Sequence, residues 1–295
     1  MKIIKNLILI LVLISILFFL ASCDLENFDY NLLSSDIRNN TLSFAFLDVG
    51  QGDSIIIKTP NNNFILIDSG PRSSLDKFKK YLKLLNIDKF YAVFATHPHE
   101  DHIGNMDYVM NNYTIKNFYS SNSYTNTDTF MDMLNSLKRK NLKIKALWAG
   151  DKITIDDIEF EILSPSKKYE ELNNMSLVIK VSYKGNSVLL MGDAMNEAEK
   201  DIIKNGYNLK SDIIKIGHHG SYSSSSFQFL KLVNPKYAII SAAKNNEYGH
   251  PHKVTLNKLK KLKIKTYITK DDGTIIANIT DKVEITTLNI LTRRD

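Results

Sequence analysis

The stretch Thr96-His97-Pro98-His99-Glu100-Asp101-His102-Ile103-Gly104 closes the hydrophobic run Phe90 to Thr96, which reads as a buried strand whose end delivers His97. Two imidazoles at i and i+2, then a carboxylate and a third imidazole at the next turn, suit two adjacent metal ions, because neutral imidazole is a common ligand. The chain has seven histidines, and the other four fall in two equally short clusters, His218 with His219 and His250 with His252. Each cluster follows a hydrophobic run, so each puts imidazoles at the end of a separate element, where a fold can gather them. With Asp101 and Asp193 beside or between the clusters, a metal centre explains the pattern better than scattered surface histidines do.

Outward from this motif, β-rich runs alternate with amphipathic segments. Leu42 to Leu47, Ser54 to Thr59 and Phe64 to Asp68 read as strands, with Asn61 to Asn63 as a turn between the last two. Leu75, Phe78, Leu82 and Leu85 recur at helical spacing, with lysines on the other face and Asn86 as the stop. The second half repeats the grammar. Strands are expected near Leu177 to Tyr183, Ser187 to Gly192 and Asp212 to Ile216, and helices near Glu197 to Asn205 and through Phe229 to Val233. Strands at Tyr237 to Ser241 and Ile275 to Ile279 flank a lysine-rich helix. Two β-rich halves with outer helices describe a layered sheet sandwich.

The chain begins with Lys2 and Lys5, an apolar run from Leu7 to Leu20, and Ala21-Ser22-Cys23 before polar sequence. That run is shorter than the roughly 20 residues of a spanning helix and has the flanks of an export signal. LASC resembles the lipobox of bacterial lipoproteins, which implies a signal peptide over 1–22, acylation of Cys23 and anchoring on the extracytoplasmic face of the membrane. Residues 23–40 then read as the lipidated cysteine and a tether, with a reach of about 20 to 25 Å if flexible, 41–289 as the catalytic domain and 290–295 as a tail. Cys23 is the single cysteine, so disulfides and thiolate ligands are excluded and the metal ligands must be nitrogen and oxygen. The formal net charge of +6 permits a polyanionic substrate without requiring one. The basic runs at Lys138, Arg139, Lys140, Lys143, Lys145 and at Lys258, Lys260, Lys261, Lys263, Lys265 lack interleaved aromatics, and read as solvated faces.

The HxHxDH string after a hydrophobic strand resembles the metallo-β-lactamase superfamily. Asp68 in LIDSG, Asp193 in LLMGD and His218 in IIKIGHHG match its other recurring elements. The resemblance implies an α+β fold, a four-layer αββα sandwich with the metal site at one edge. It further implies that His97 and His99 hold a first divalent ion, that Asp101, His102 and His218 hold a second, and that Asp193 bridges them. The ions would be zinc or manganese, and Asp68 would orient a ligating histidine from behind. One departure matters. Members acting on lactams, thioesters or lactones usually supply a third histidine before the bridging aspartate, and here none occurs between His102 and His218. Asn173-Asn174-Met175-Ser176-Leu177 lies where it would come from, so the first ion is expected to be the more weakly held.

FLDVGQGDS from Phe46 to Ser54, NNMSLV, GDA, GHHGSYSSS and YGHPH together resemble the C-terminal metallo-β-lactamase-like domain of the ComEC DNA-uptake proteins, over about Leu42 to Thr287. This implies a stand-alone, lipid-anchored relative that cleaves DNA or another phosphodiester polymer and needs no nucleotide cofactor. Metals can activate water, neutralise the phosphate and stabilise the leaving oxygen in an in-line displacement. Asp101, Asp193 and His250 are then the expected catalytic groups, with His250 a phosphate ligand or leaving-group acid, and His219, Ser221, His250 and His252 are the expected substrate contacts. Two alternatives stand beside a DNase: an envelope phosphodiesterase, such as a phosphocholine esterase acting on teichoic acid, and a surface lipoprotein that binds DNA without cutting it.

Overall fold

Ile55, Ile56 and Ile57 show in three residues why this sequence makes layers. Successive strand side chains face opposite ways, so Ile55 and Ile57 enter an inner cluster with Phe44, Phe46, Ile65 and Ile67, while Ile56, Ala45 and Leu66 enter an outer one. Both faces are buried, which calls for a second sheet on one side and helices on the other. The computed structural model describes residues 36–288 and Ser15. Apart from Ser15, the expected signal peptide lies outside the described residues, as do Cys23, residues 24–35 of the tether and the tail. Among the described residues no helix is long and apolar enough to cross a membrane.

The first sheet contains β1 (Leu42–Phe46), β2 (Ser54–Lys58), β3 (Phe64–Ser69), β4 (Lys89–Ala95), β5 (Thr114–Ser121) and β6 (Ile144–Leu147). The second contains β7 (Lys152–Ile155), β8 (Ile158–Ser164), β9 (Val178–Tyr183), β10 (Asn186–Leu190), β11 (Ile213–Lys215), β12 (Tyr237–Ile240) and β13 (Lys265–Ile268). The chain then returns to the first sheet with β14 (Thr274–Ile279) and β15 (Val283–Leu288), giving the orders β15-β14-β1-β2-β3-β4-β5-β6 and β13-β12-β11-β10-β9-β8-β7. Phe160, Ile162, Ile179 and Val188 meet Phe44, Phe46 and Phe94 between the sheets.

Outside the first sheet lie α1 (Leu75–Leu84), the short α2 (Glu100–Ile103), α3 (Met106–Asn112) and α4 (Asp128–Arg139), contributing Phe78, Leu82, Ile103, Val109 and Phe130 to the outer cluster. The other flank carries α5 (Asn196–Lys204), α6 (Phe227–Val233) and α7 (Lys253–Lys261), whose Ile202, Phe229 and Leu259 pack on Leu189 and Ile214; α8 (Thr269–Asp272) is a single turn before β14. The chain therefore forms the four-layer αββα sandwich of the metallo-β-lactamase fold, as expected. Strands β3 to β6 run parallel, as do β10 to β13. Asp68 lies one residue before the end of β3, the HxHxDH loop follows β4, Asp193 follows β10 and the paired histidines follow β11. All are carboxyl ends of parallel strands, where α/β folds assemble sites from loops.

Candidate metal centre

Asp68 is the hub of the first sheet's contribution. It accepts from the Thr96 N–H at 2.8 Å and the Thr96 hydroxyl at 2.7 Å, and its Oδ2 lies 2.7 Å from His102 Nδ1. A histidine held to a carboxylate by one ring nitrogen offers the other to a metal with a fixed orientation. With its proton committed to Asp68, the Thr96 oxygen can accept from His97 Nδ1, 3.2 Å away, which leaves His97 Nε2 as the lone-pair nitrogen. That nitrogen lies 3.1 Å from His99 Nδ1 and 3.9 Å from Asp193 Oδ2. With a proton on His99 Nδ1 the two rings share a hydrogen bond; without it, both nitrogens could turn their lone pairs to one ion.

The second sheet brings the opposite wall. The Asp193 N–H donates to Ser176 Oγ at 3.0 Å, anchoring the Gly192-Asp193 turn. After β11, His218 and His219 both adopt left-handed backbone angles, at φ 48° and 51°, a conformation that costs non-glycine residues about 1–3 kcal/mol each and persists only where the surroundings enforce it. Gly220 completes the turn at φ 83°, and a Cβ there would come within 2.5 Å of Pro251 Cβ. This turn sends the two rings apart. His219 Nε2 lies 3.1 Å from Asp101 Oδ2 and 3.5 Å from Asp193 Oδ2. His218 Nε2 is 3.9 Å from Asp193 Oδ2 and 3.4 Å from Asn173 Nδ2, with its Nδ1 3.2 Å from Ser223 Oγ.

Asp101, His102, Asp193 and His219 can each present one donor atom within 4.8 Å of all the others. His102 Nε2 and Asp193 Oδ1 are buried and 3.2 Å apart, yet neither has a hydrogen-bond partner among the described residues. Orphaned buried polar atoms are rare because they are costly, and a nitrogen and a carboxylate oxygen converging this way fit a divalent cation. The electrostatics carry the same demand. Burial opposes charge on His102 and His219, but Asp193 with Asp68 holds the His102 ring well above the ordinary imidazole range, and Asp193 with Asp101 pushes His219 up to about 10. Burial raises Asp193 and Asp101, and the two charged rings more than offset it, holding both carboxyls below their usual range. His97 is held well below by burial and by the His102 charge, and His250 falls to about 4 through burial and the neighbouring His219 and His218.

These groups face a cleft of about 530 Å³ lined by His99, Asp101, Asp193, His218, His219 and His250, among others. His97 and His102 are buried behind them and do not line the cleft. Some of the expected site residues stand in other surroundings than the resemblance implies. The sequence reading put His218 with the second ion and His219 with substrate, whereas His219 enters the four-residue cluster and His218 sits on the Asn173 side. Ser221 is buried, its Oγ bonded by the Ser223 N–H and hydroxyl. His252 stands at the N-cap position of α7 without a side-chain cap bond and accepts the Tyr222 N–H on Nδ1 at 3.0 Å; neither Ser221 nor His252 lines the cleft. Ser221 and His252 thus bond to loop backbone and hydroxyls, and the His252 ring stands 4.9 Å from that of His250. His250 does line the cleft, with Gln51 Nε2 3.5 Å from its Nδ1, so its neutral ring carries the proton on Nε2. Thr96, Ser176 and Gln51 were absent from the sequence-based site; only their places beside motif residues marked them.

Residues 47–244 match the family model described as Metallo-beta-lactamase superfamily. The chain is 32% identical over 247 residues to ComE operon protein 3 of Bacillus subtilis, covering 78% of this chain and 32% of that protein. It is 26% identical over 242 residues to Competence protein ComA of Neisseria gonorrhoeae (81% and 32% covered), and 28% over 261 residues to Recombination protein 2 of Haemophilus influenzae (86% and 31%). The chain thus spans about a third of the length of these relatives. The solved structure of YhfI from Bacillus subtilis, a metallo-beta-lactamase fold protein, superposes with a TM-score of 0.56 at 12% identity, covering 81% of this chain and 100% of that one, a likeness of fold.

Proposed function

The chain belongs to the metallo-beta-lactamase superfamily and shares its metal-dependent hydrolase fold, and from that premise we propose that it is an extracytoplasmic, lipid-anchored phosphodiesterase whose substrate is DNA. The observation that carries this reading is the convergence of Asp101, Asp193 and His219, which line an open cleft, with His102 buried behind them, and the orphaned His102 Nε2 and Asp193 Oδ1. No serine or cysteine nucleophile is needed there. Bound divalent ions would supply Lewis acidity toward a phosphoryl oxygen and lower the pKa of the attacking water. Asp101, His102, Asp193 and His219 would hold one ion, and His97 and His99, with Asp193 shared, the other.

The protein's own groups then divide the work. Asp101, on the cleft wall, accepts a hydrogen bond from the water and aims it at phosphorus. The His250 Nε2–H donates to a phosphoryl oxygen as the bond to the leaving oxygen breaks. The names of the relatives, competence protein and recombination protein, support DNA as the polymer. Exposed tyrosine rings at Tyr222 (66%) and Tyr248 (58%), the latter lining the cleft, offer faces on which bases can stack.

One observation favours the phosphocholine alternative. The cleft lining carries Glu100, Asp101, Asp193 and Glu247 and, among the described residues, no lysine or arginine. Glu247 beside Tyr248 suits a quaternary ammonium. Turnover of single-stranded DNA and of a phosphocholine ester by the metal-loaded protein from Asp24 onward, measured in parallel over a salt series, separates the readings. DNA cleavage that weakens as salt rises supports the nuclease, because counterion release drives polyanion binding. Cleavage of the ester alone, insensitive to salt, replaces DNA as substrate, and DNA binding without cleavage of either replaces the enzyme with a binding protein.

A further inference from the structure

The GQGDS stretch, Gly50 to Ser54, has no part in the ligand set, yet its aspartate is buried at the back of it. Asp53 is 2% exposed, and its Oδ2 lies 2.8 Å from Lys215 Nζ, a lysine with no exposed surface in the middle of the apolar run Ile213 to Ile216. Lys215 Nζ also donates to the Ile216 carbonyl at 3.1 Å. The other oxygen, Asp53 Oδ1, is buried, has no hydrogen-bond partner among the described residues, and lies 3.5 Å from His219 Nδ1. That ring nitrogen is also 3.1 Å from the Ser241 carbonyl. A carbonyl and a carboxylate only accept, so His219 Nδ1 carries a proton in every state, and Nε2, which faces the carboxylates Asp101 and Asp193, is the nitrogen that would exchange its proton for a metal.

The same turn grips the HxHxDH loop. The Asp53 N–H donates to the Asp101 carbonyl at 3.1 Å, and the Gly70 N–H donates to the Asp53 carbonyl at 2.8 Å. Gly52, at φ 144°, packs so closely that a Cβ would stand 2.3 Å from the Asp101 carbonyl oxygen. Asp53 thus touches the first sheet's ligand loop through its backbone and the second sheet's ligand through its side chain. Asp53, Asp68 and His102 also lie close enough to one another to be considered a metal site, but Lys215 already supplies the positive charge against Asp53 and His102 already engages Asp68.

We propose that Asp53 and Lys215 form a positioning pair that fixes the tautomer and orientation of His219 and locks the two halves of the metal centre together across the sheets. A fully buried ion pair is a poor source of stability, since desolvating both charges consumes most of their attraction, and shape-matched neutral residues often replace such pairs without loss. Retention of both charges behind a ligating ring points to the ring. A carboxylate behind a histidine raises its basicity toward a metal, and losing such a partner typically costs 10- to 100-fold in metal affinity. Lys215 keeps that carboxylate from being an unpaired buried charge.

The inference rests on the metal-centre reading, and one experiment separates the two. The double variant Asp53→Asn/Lys215→Met removes both charges and keeps approximate shape. Zinc affinity is measured by chelator competition, the visible spectrum after cobalt substitution, and the melting temperature without metal. The expected result is a melting temperature close to wild type, affinity lower by about 10- to 100-fold and an altered cobalt spectrum. Wild-type affinity and spectrum in a folded double variant would overturn the proposal while leaving the metal centre standing; failure of the wild-type protein to bind zinc or cobalt would overturn both. Should the double variant not fold, Asp53→Asn alone decides: zinc affinity about 10- to 100-fold lower with an altered cobalt spectrum is expected, and wild-type affinity and spectrum would refute the proposal.

Discussion

The two halves of the centre are built to different densities. Around Asp101, His102, Asp193 and His219, two carboxylates meet two imidazoles, and each imidazole has a carboxylate behind it, Asp68 at 2.7 Å from His102 and Asp53 at 3.5 Å from His219. Around His97 and His99 there are two ring nitrogens 3.1 Å apart, one ring supported by a threonine hydroxyl, and Asn173, from the segment where the resemblance to lactam-cleaving members leads one to expect a third histidine, stands 3.4 Å from His218. Ligand charge and outer hydrogen bonds set affinity together. On the proposed reading, the difference would let one fold hold a tight ion and an exchangeable one from neighbouring loops.

Asp193 faces both halves, so Asp193→Ala should erase the distinction. Its expected effect is the largest: loss of both ions and a fall in turnover well beyond the roughly 100-fold that follows loss of a supporting partner. His97→Ala should instead leave about one tightly held ion. Metal analysis beside rates reads both, and equal metal contents in the two variants would break the comparison.

Asp68→Asn keeps the shape behind His102 and removes the charge. Metal affinity of the dense half should fall about 10- to 100-fold, as chelator competition would show, with the His97 and His99 half less affected. In the other direction, Asn173→His should sharpen the contrast from below by raising the affinity for the second equivalent of metal while leaving the first unchanged; unchanged stepwise affinities would show that Asn173 does not border the sparse half.

A smaller effect follows from pH. The folded-state values of His102 and His219 are raised, to about 10 for His219, by Asp193 with Asp68 and Asp101. A raised imidazole contributes stability that is complete below its unfolded value, about 6.5, and is lost as pH climbs toward the folded value. Melting temperatures of chelator-treated protein should therefore decline between about pH 6.5 and 10, and the metal-loaded protein should show less of this decline. Parallel curves for the two forms would mean that metal and protons do not compete for these rings.

Much of this was legible in the sequence because of where the residues stand. Asp68, His97, Asp193 and the histidine pair each end an apolar run, and strands such as Ser54–Lys58 bury both faces and so read as nearly continuous aliphatics. The stretch holding β5 to β8 was not legible. Thr114–Ser121 is half polar, and the edge strands Ile144–Leu147 and Lys152–Ile155 have four residues each, with exposed lysines that keep the sheet edge from pairing further. Which of two adjacent histidines turns inward depends on backbone angles near 50°, and periodicity carries no such information. Lys215 reads as an anomaly in a strand until the fold brings up Asp53, 162 residues away.

The most direct test of a phosphodiesterase with a tight and an exchangeable ion is a metal titration of the metal-free protein with bound metal and phosphodiester cleavage measured in the same samples. The expected result is two unequal binding steps, with cleavage of DNA or the phosphocholine ester appearing as they fill and disappearing on chelation. Full occupancy by zinc or manganese with no cleavage of either substrate, or no stoichiometric metal at all, would contradict it.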